Sequence, residues 1–300
     1  MTWQDSDIDR LALLTKEQVE ELKKEKIYTS LQLLLAPSHL LEKHFGKEEL
    51  ATVLSMLQSQ VNGFYRILGA HDIVRVSTGS KSLDAKLGGG ITSGQITEIC
   101  SEQRYPRTLF CYSVLLRFLR EHEDARVLYN DPSTKFRPEK LCELGSHYYL
   151  SQREILDRIL VFRPYNIIQQ MEIFEIYDSN LKASRNKLIM VDGLGDFFKF
   201  AAEKKNIIYH KIKAMENFML RLNHLAAREG TIVLLSNSTI ERFKDKTIVP
   251  ESDKIIGESI KTNILLHRRE DATWEAKVMS SGESCSVQLS LSEYGFGDTI

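Results

Sequence analysis

The feature that most constrains the fold is a series of continuous apolar runs that alternate with amphipathic stretches in the middle of the chain. Apolar runs this continuous are typical of central strands buried on both faces, and the alternation predicts a parallel sheet with crossover helices. The predicted strands are Gln95–Cys100, Ala125–Asn130, Ile159–Arg163, Lys187–Asp192 and Thr231–Ser236. The predicted helices are Thr108–Glu121, Arg137–Leu144, Ile167–Leu181 and Asn206–Arg228.

The pattern changes on both sides of this region. Towards the C-terminus, Asn263–His267, Trp274–Met279 and Ser286–Ser292 predict a meander of short strands. The N-terminal residues predict helices only, with a capping box at Thr15–Gln18 and an apolar stripe along Leu50–Val61. We therefore expect a small all-helical domain over residues 1–61, a linker over 62–76 and an α/β core over 77–300. The helical domain fits either a helix-hairpin-helix module that holds DNA or a partner, or a packing domain without a ligand.

Composition limits the classes of function. The net charge is -1, so any contact with nucleic acid must come from local patches. The four cysteines lie far apart without the spacing of metal ligands, which predicts buried thiols in a reducing compartment and no metal. The N-terminus lacks the basic and apolar stretches of a signal peptide, and no apolar segment approaches about 18 residues. We expect an intracellular protein that has no membrane partner.

The segment TEICSEQRYPRTLF, Thr97–Phe110, has the position of a phosphate-binding loop but contains no glycine. A loop of pattern GxxxxGK[ST] needs glycines because its backbone N–H groups turn inward around phosphate oxygens. Aligned on that pattern, Ser101 stands at the first glycine, Pro106 at the last glycine and Arg107 at the lysine. Proline donates no N–H, and an arginine fork does not replace the compact charge of lysine. Thr108 remains a candidate ligand for a magnesium ion.

The surroundings of this segment resemble the RecA/Rad-type family of strand-exchange ATPases over essentially the whole chain. The segment VSTGSKSLDAKLGGGITSGQITEI (Val76–Ile99) resembles the family's lead into its phosphate loop. LYNDPSTKFRPEKL (Leu128–Leu141) and KLIMVDGL (Lys187–Leu194) resemble its next two motifs. The end of the chain, EYGFGD (Glu293–Asp298), matches its terminal Gly-x-Gly-Asp. The resemblance implies a RecA-like ATPase-type core with a small helical N-terminal domain.

The departures from the family pattern fall on its chemistry. In that register Ser133 stands at the water-activating glutamate, and a serine hydroxyl does not serve as that base without help. Ser238 replaces the glutamine that senses the terminal phosphate, whereas Asp192 keeps the aspartate of the second nucleotide motif. We expect a degenerate nucleotide site at Ser101, Pro106, Arg107, Thr108, Ser133 and Asp192, with no catalytic residue and no bound ATP or magnesium.

Within the family the chain is similar to the recombinase paralogues, and most similar to the D-paralogue subfamily of the vertebrate set. The resemblance is carried by LTKEQVEELKKEKIYTSLQLLLA (Leu14–Ala36), RILVFRPYNIIQQMEIF (Arg158–Phe174) and AKVMSS (Ala276–Ser281). It implies a non-catalytic nuclear subunit that assists the recombinase filament on single-stranded DNA. The implied partners are other recombinase paralogues, the recombinase itself, and single-stranded or branched DNA reached through the complex.

Two segments are candidates for direct contact with DNA. The family's mobile loops correspond to Gly195–Lys205 and to Thr239–Gly257 in this chain. Basic residues beside an aromatic ring suit single-stranded DNA, because charge follows the backbone while the ring stacks on a base. Solvated charge is the competing interpretation, since the second segment also carries acidic residues. The candidates are Lys199, Lys204, Lys205, Arg242, Phe243, Lys244 and Lys246.

The linker is a candidate partner interface. Family members join by laying a linker segment as an added strand on the neighbouring core, with an apolar anchor in a pocket. The anchor candidates are Phe64, Tyr65 and Ile67, and the alternative is that these rings close the N-terminal bundle. Two functions compete with the scaffold subunit: a DNA-dependent ATPase with an unorthodox phosphate loop, and a stand-alone protein that binds single-stranded DNA.

Overall fold

The computed structural model describes residues 7–11, 14–36, 41–46, 49–50, 52–53, 73–195, 205–241, 248–250, 259–280 and 283–299. Contacts divide the chain into two compact units, Met1–Ile67 and Leu68–Ile300. The expected linker over residues 62–76 lies mostly outside the described residues. Its last residues belong to the larger unit, because Val74 and Ser93 exchange hydrogen bonds of 2.9 and 3.0 Å.

The smaller unit is helical where it is described. It contains a 3-10 turn at Ile8–Arg10, helix α1 at Lys16–Lys24 and helix α2 at Ser30–Leu35. The predicted capping box is confirmed: the Gln18 amide donates to the Thr15 hydroxyl at 3.2 Å, and the Thr15 amide donates to the Gln18 side chain at 2.9 Å. Its core is apolar and consists of Ile8, Val19, Leu22, Ile27, Leu33, Leu41, Phe45, Leu50 and Val53.

The larger unit contains thirteen described strands and seven described helices. The strands are β1 (Arg75–Val76), β2 (Ile91–Thr92), β3 (Ile96–Ser101), β4 (Arg126–Asn130), β5 (Ile159–Phe162), β6 (Lys187–Asp192), β7 (Ile232–Asn237), β8 (Thr239–Glu241), β9 (Ile248–Pro250), β10 (Thr262–Arg268), β11 (Trp274–Ser280), β12 (Glu283–Ser292) and β13 (Gly295–Asp298). The helices are α3 (Lys81–Lys86), α4 (Arg104–Glu121), α5 (Pro138–His147), α6 (Gln152–Leu156), α7 (Ile167–Gln170), α8 (Ile173–Asn180) and α9 (Lys205–Glu229).

Nine of these strands form one sheet in the order β5-β4-β6-β7-β3-β10-β11-β12-β13. The strands from β5 to β10 in this order are parallel to their neighbours, and those from β10 to β13 pair antiparallel. The predicted parallel sheet with a C-terminal meander is therefore confirmed. The single predicted helix over Ile167–Leu181 is two helices, α7 and α8. The apolar pattern runs on through the break at Met171 and Glu172, so no local pattern predicts it.

The central strands are buried because helices cover both faces of the sheet. Along β4, Val127 and Tyr129 belong to an apolar cluster on one face, and Leu128 belongs to a second cluster on the other. Helix α4 supplies Phe110 and other residues to the first cluster, while α8 and α9 supply the second. This two-sided burial accounts for the continuous apolar runs in the sequence.

The last strand closes the core by holding the start of α3. One carboxylate oxygen of Asp298 accepts hydrogen bonds from the Ser80 hydroxyl at 2.5 Å and the Ser82 amide at 3.1 Å. The other oxygen accepts from the Lys81 amide at 3.0 Å. The hydrogen bond from Ser80 is the main reason that the pKa of Asp298 lies below its ordinary value. The Gly-x-Gly-Asp sequence, which the family resemblance singled out, thus forms a structural clasp between the two ends of the core.

Loss of this clasp is expected to destabilise the protein. Asp298→Ala leaves three donors at the start of α3 without their carboxylate, and we expect about 0.5–1 kcal/mol less free energy of unfolding in urea at neutral pH. A lowered folded-state pKa means that the carboxylate stabilises the fold above its ordinary pKa and loses this effect as pH falls through the folded value. The difference from wild type should therefore shrink in acid. An equal difference at neutral and acidic pH would contradict this role.

Candidate functional site

The candidate site lies where four neighbouring parallel strands end. Ser101 ends β3, Asp192 ends β6, Ser238 follows β7, and Ser133 lies in the segment after β4. In open α/β sheets, ligands bind outside the carboxyl ends of the strands. The fold therefore brings the predicted site residues to the edge where a nucleotide site belongs.

The connection from β3 to α4 is much shorter than a phosphate loop. Strand β3 ends at Ser101 and α4 begins at Arg104, so only Glu102 and Gln103 connect them. The predicted helix start at Thr108 is wrong, because the residues that would wrap a phosphate form the first turn of α4. Pro106 is the third residue of the helix, a position where the missing N–H has no intrahelical partner to lose. Without glycines the segment adopts the helical conformation that its residues favour.

Arg107 fills the inside of this connection. Its side chain is buried, and Nη1 donates to the Ser101 carbonyl and lies 3.5 Å from the Gln103 carbonyl. Nη2 lies 3.5 Å from the Ser238 hydroxyl. Burial lowers the pKa of Arg107, while the Asp192 carboxylate acts in the opposite direction. Carbonyl oxygens therefore converge on an internal cation here, where a phosphate loop directs N–H groups at an external anion.

Asp192 is equally occupied by internal partners. Its carboxylate is buried and accepts hydrogen bonds from the Tyr129 hydroxyl at 2.8 Å and the Ser236 hydroxyl at 2.5 Å. The Arg104 guanidinium lies 3.8 Å from the same carboxylate and donates to the Ser133 hydroxyl. Burial is the main cause of a Tyr129 pKa far above its ordinary value, so Tyr129 stays a neutral donor. Both carboxylate oxygens therefore hold hydroxyl donors.

Asp131 fixes the segment that carries Ser133. One of its carboxylate oxygens accepts from the Lys135 amide at 2.8 Å, and the other accepts from the Phe136 amide at 2.9 Å. Arg163 lies 3.2 Å from the second oxygen. These bonds hold the turn in which Thr134 takes a φ of 55°. Ser133 is positioned by this turn and not by its own contacts alone.

The structure thus joins most of the predicted site into two small groups. Ser101, Arg107 and Ser238 form one group, and Ser133 and Asp192 form the other. Thr108 is half-buried on α4. Sequence reasoning missed Arg104, Tyr129 and Ser236, and the polar hydroxyls inside apolar strands were the signal available for the last two. Lys205 begins α9, and the other DNA-contact and interface candidates (Lys199, Lys204, Arg242, Phe243, Lys244, Lys246, Phe64, Tyr65, Ile67) lie outside the described residues.

A mostly parallel sheet with an antiparallel C-terminal extension and a site at its carboxyl edge defines a RecA-like α/β core. The sequence model of the Rad51 family matches residues 70–293, and the chain belongs to this family. It is 28% identical over 219 residues to a DNA repair protein Rad51 homolog of Drosophila melanogaster, covering 70% of this chain and 65% of that relative. It is 25% identical over 259 residues to DNA repair protein RAD51 of Saccharomyces cerevisiae, covering 82% and 65%.

A third relative, DNA repair protein rhp51 of Schizosaccharomyces pombe, is 27% identical over 200 residues, which cover 65% of this chain and 54% of that protein. The chain thus spans less than two thirds of the length of each of these relatives. Within the described part of the chain, no helix is long and apolar enough to cross a membrane.

A nucleoside triphosphate with its magnesium ion, which the family resemblance implies, does not fit these residues. Phosphate binding needs inward N–H groups, and here Arg107 draws the Ser101 and Gln103 carbonyls inward. Magnesium needs oxygen ligands that are open to it, and both oxygens of Asp192 are taken by hydroxyl donors. Among the described residues, no group of three or more His, Cys, Asp or Glu side chains could hold a metal ion.

The internal partners make Asp192 a stabilising residue. Asp192→Ala leaves the buried hydroxyls of Tyr129 and Ser236 without acceptors, and we expect a loss of about 2–4 kcal/mol in the free energy of unfolding measured in urea. Ser133→Ala is the matched control, since Ser133 is only partly buried, and should cost less than about 1 kcal/mol. The double variant Tyr129→Phe, Asp192→Ala should lose less free energy of unfolding than the sum of the losses in the two single variants. Additive losses would show that the two side chains do not interact.

Proposed function

We propose that the chain is a non-catalytic recombinase paralogue of the D-paralogue subfamily that acts in homologous recombination and DNA repair. In this proposal it is a scaffold subunit of a nuclear complex that assists the recombinase filament on single-stranded DNA. Its partners are other paralogues and the recombinase, and it reaches single-stranded or branched DNA through the complex. Membership of the Rad51 family and the names of the relatives as DNA repair proteins support this class of function.

The observation that carries the non-catalytic part is the position of Arg107. Its guanidinium binds the Ser101 carbonyl inside a two-residue connection, so a cation of the protein occupies the place that an anion would need. Phosphoryl transfer requires binding, metal and base together. Ser133 at the position of the base accepts from Arg104, and Asp192 at the position of the metal ligand is bound by hydroxyls.

The full chain is expected to bind Mg-ATP no more tightly than about millimolar, because the connection lacks an anion cradle. Isothermal titration calorimetry measures this directly, with a family member that carries an intact phosphate loop as the positive control. A micromolar dissociation constant would instead favour the DNA-dependent ATPase, the second candidate function, and hydrolysis stimulated by single-stranded DNA would establish it.

The proposed partner interface of the linker makes a separate prediction. Buried aromatic anchors typically cost about 2 kcal/mol when truncated, which is roughly a 30-fold loss of affinity. We expect Phe64→Ala or Tyr65→Ala in the full chain to lower the affinity for one co-expressed paralogue by about that factor. A second paralogue should stay bound with unchanged affinity. Tyr28→Ala is the control, because Tyr28 is a half-exposed tyrosine outside the linker. Unchanged capture of every partner would assign these rings to the N-terminal bundle.

Direct binding of DNA distinguishes the scaffold subunit from the third candidate function, a stand-alone protein that binds single-stranded DNA. A stand-alone single-stranded DNA-binding protein would hold an oligothymidine tightly in the absence of partners and lose it with Lys204→Ala and Lys244→Ala. The scaffold subunit should bind this oligonucleotide weakly alone and strongly only within the complex, with a steep dependence on salt.

A further inference from the structure

A second candidate site lies at the far end of α4, about 20 Å along the helix from Arg107. A cleft of about 640 Å³ opens there between the end of α4, the turn after α5 and the β12–β13 hairpin. We call it the α4–β13 cleft. Its lining includes Arg117, Arg120, His147, Tyr149 and Tyr294. Its volume is within the range of ligand pockets.

Tyr149 occupies a position at which a helix usually ends with glycine. The Tyr149 amide donates to the Ser146 carbonyl at 3.1 Å, and the Leu150 amide donates to the Gly145 carbonyl at 3.0 Å, which together form a Schellman motif after α5. Tyr149 takes the left-handed conformation of this motif, with a φ of 59°. A β-carbon is unfavourable there, and glycine is the usual residue.

The side chain of Tyr149 does not offset the cost of this conformation by packing against the fold. It is 91% exposed, so it contributes almost no packing. Lys26 and Ala272 are exposed in the same left-handed conformation, so the conformation alone assigns no role, and Tyr149 differs from them in carrying a large aromatic ring. Tyr149 stands at the rim of the cleft, where a bound molecule would cover it.

Arg117 is held in place inside the cleft. Its Nη1 donates to the Ser113 carbonyl at 3.2 Å, and its guanidinium lies 5.1 Å from the centre of the Tyr148 ring. The room for it depends on Gly79, because a β-carbon at that residue would lie 2.3 Å from Nη2. A guanidinium fixed in this way is prepared for a planar anion such as a carboxylate.

Charge at the cleft selects the kind of anion. The charged side chains among the lining residues are the cations Arg117 and Arg120, and His147 stacks on the Tyr294 ring at 3.8 Å. Carboxylates surround the rim, where Glu121 lies 3.8 Å from Arg120. Glu293 is the main reason that the pKa of Tyr294 lies above its ordinary value, and Glu143 makes the smallest contribution. A polyanion crossing this rim would meet these carboxylates, whereas one carboxylate entering the cleft would meet the arginines.

We propose that the α4–β13 cleft binds a peptide segment of a partner protein, with one Asp or Glu side chain between Arg117 and Arg120 and an apolar group against Tyr149. Tyrosine and arginine around a cleft are the composition of protein-binding hot spots. The site stands apart from the degenerate nucleotide site, so it does not depend on the function proposed above.

A photoreactive residue identifies the segment. The full chain with p-benzoylphenylalanine in place of Tyr149 is irradiated in cells, and the cross-linked peptide is sequenced by mass spectrometry. The same residue in place of Arg153, whose side chain is 90% exposed on α6, is the control position. We expect one defined acidic protein segment that is absent from the control. Cross-links to nucleic acid alone, or the same products at both positions, overturn the proposal.

The identified segment, made as a synthetic peptide, is then titrated into the full chain. Tyr149→Gly should weaken binding roughly 30-fold and yet raise the thermal midpoint by about 2 °C, because glycine relieves the left-handed position. Arg120→Glu should weaken binding at least about tenfold, and a lysine in place of the peptide's acid should recover part of that loss. Arg153→Glu should bind like wild type. Wild-type affinity of both cleft variants, or no recovery by the charge exchange, overturns the proposal.

Discussion

The structure depends on the buried carboxylate of Asp192 and on the groups that surround it. A buried charge is tolerated only when it is paired and hydrogen-bonded, because its desolvation costs several kcal/mol. Here Tyr129 comes from β4, Ser236 from β7 and Arg104 from α4, so one side chain of β6 ties together three neighbouring elements. These contacts set how the ends of the parallel strands meet, and they place Ser133 and Arg107 beside them. The same edge that would bind a nucleotide is therefore part of the polar core.

Two arginines of the chain supply positive charge at this edge. Arg107 faces carbonyl oxygens and Arg104 faces Asp192, so the fold supplies its own cations. Burial lowers the pKa of Arg107 while the attraction of Asp192 raises it, and among the described residues its Nε has no hydrogen-bond partner. A ligand that displaced Arg107 would remove the guanidinium donor of the buried Ser101 carbonyl, at a cost of about 1–3 kcal/mol. The contacts of these two arginines therefore close the site, in addition to the volume that their side chains fill.

The sequence predicted what local pattern controls. Continuous apolar runs identified the central strands, with β6 at its predicted bounds, because each strand is covered on both faces. The start of α4 was predicted four residues late, since the alignment on a phosphate loop assumed a loop conformation that residues without glycine do not adopt. The hydrogen bond from Tyr129 to Asp192 joins residues 63 positions apart, and no local pattern reports it. Tyr149 was missed for a related reason, because a helix end that usually carries glycine carries a tyrosine here.

Helix α4 runs from the candidate nucleotide site to the α4–β13 cleft, and its polar residues make different kinds of contact at the two ends. At its first turn Arg104 and Arg107 bind groups within the chain, the Ser133 hydroxyl and the Ser101 carbonyl. At its last turn Arg120 lies beside a cleft. Tyr149, which follows α5, stands at the rim of the same cleft in a left-handed conformation that glycine would adopt at lower cost. Stability alone explains the first arrangement and does not explain the second. If the family's chemistry has been lost at the start of α4, the surface on which this chain acts is best sought at the end of the same helix.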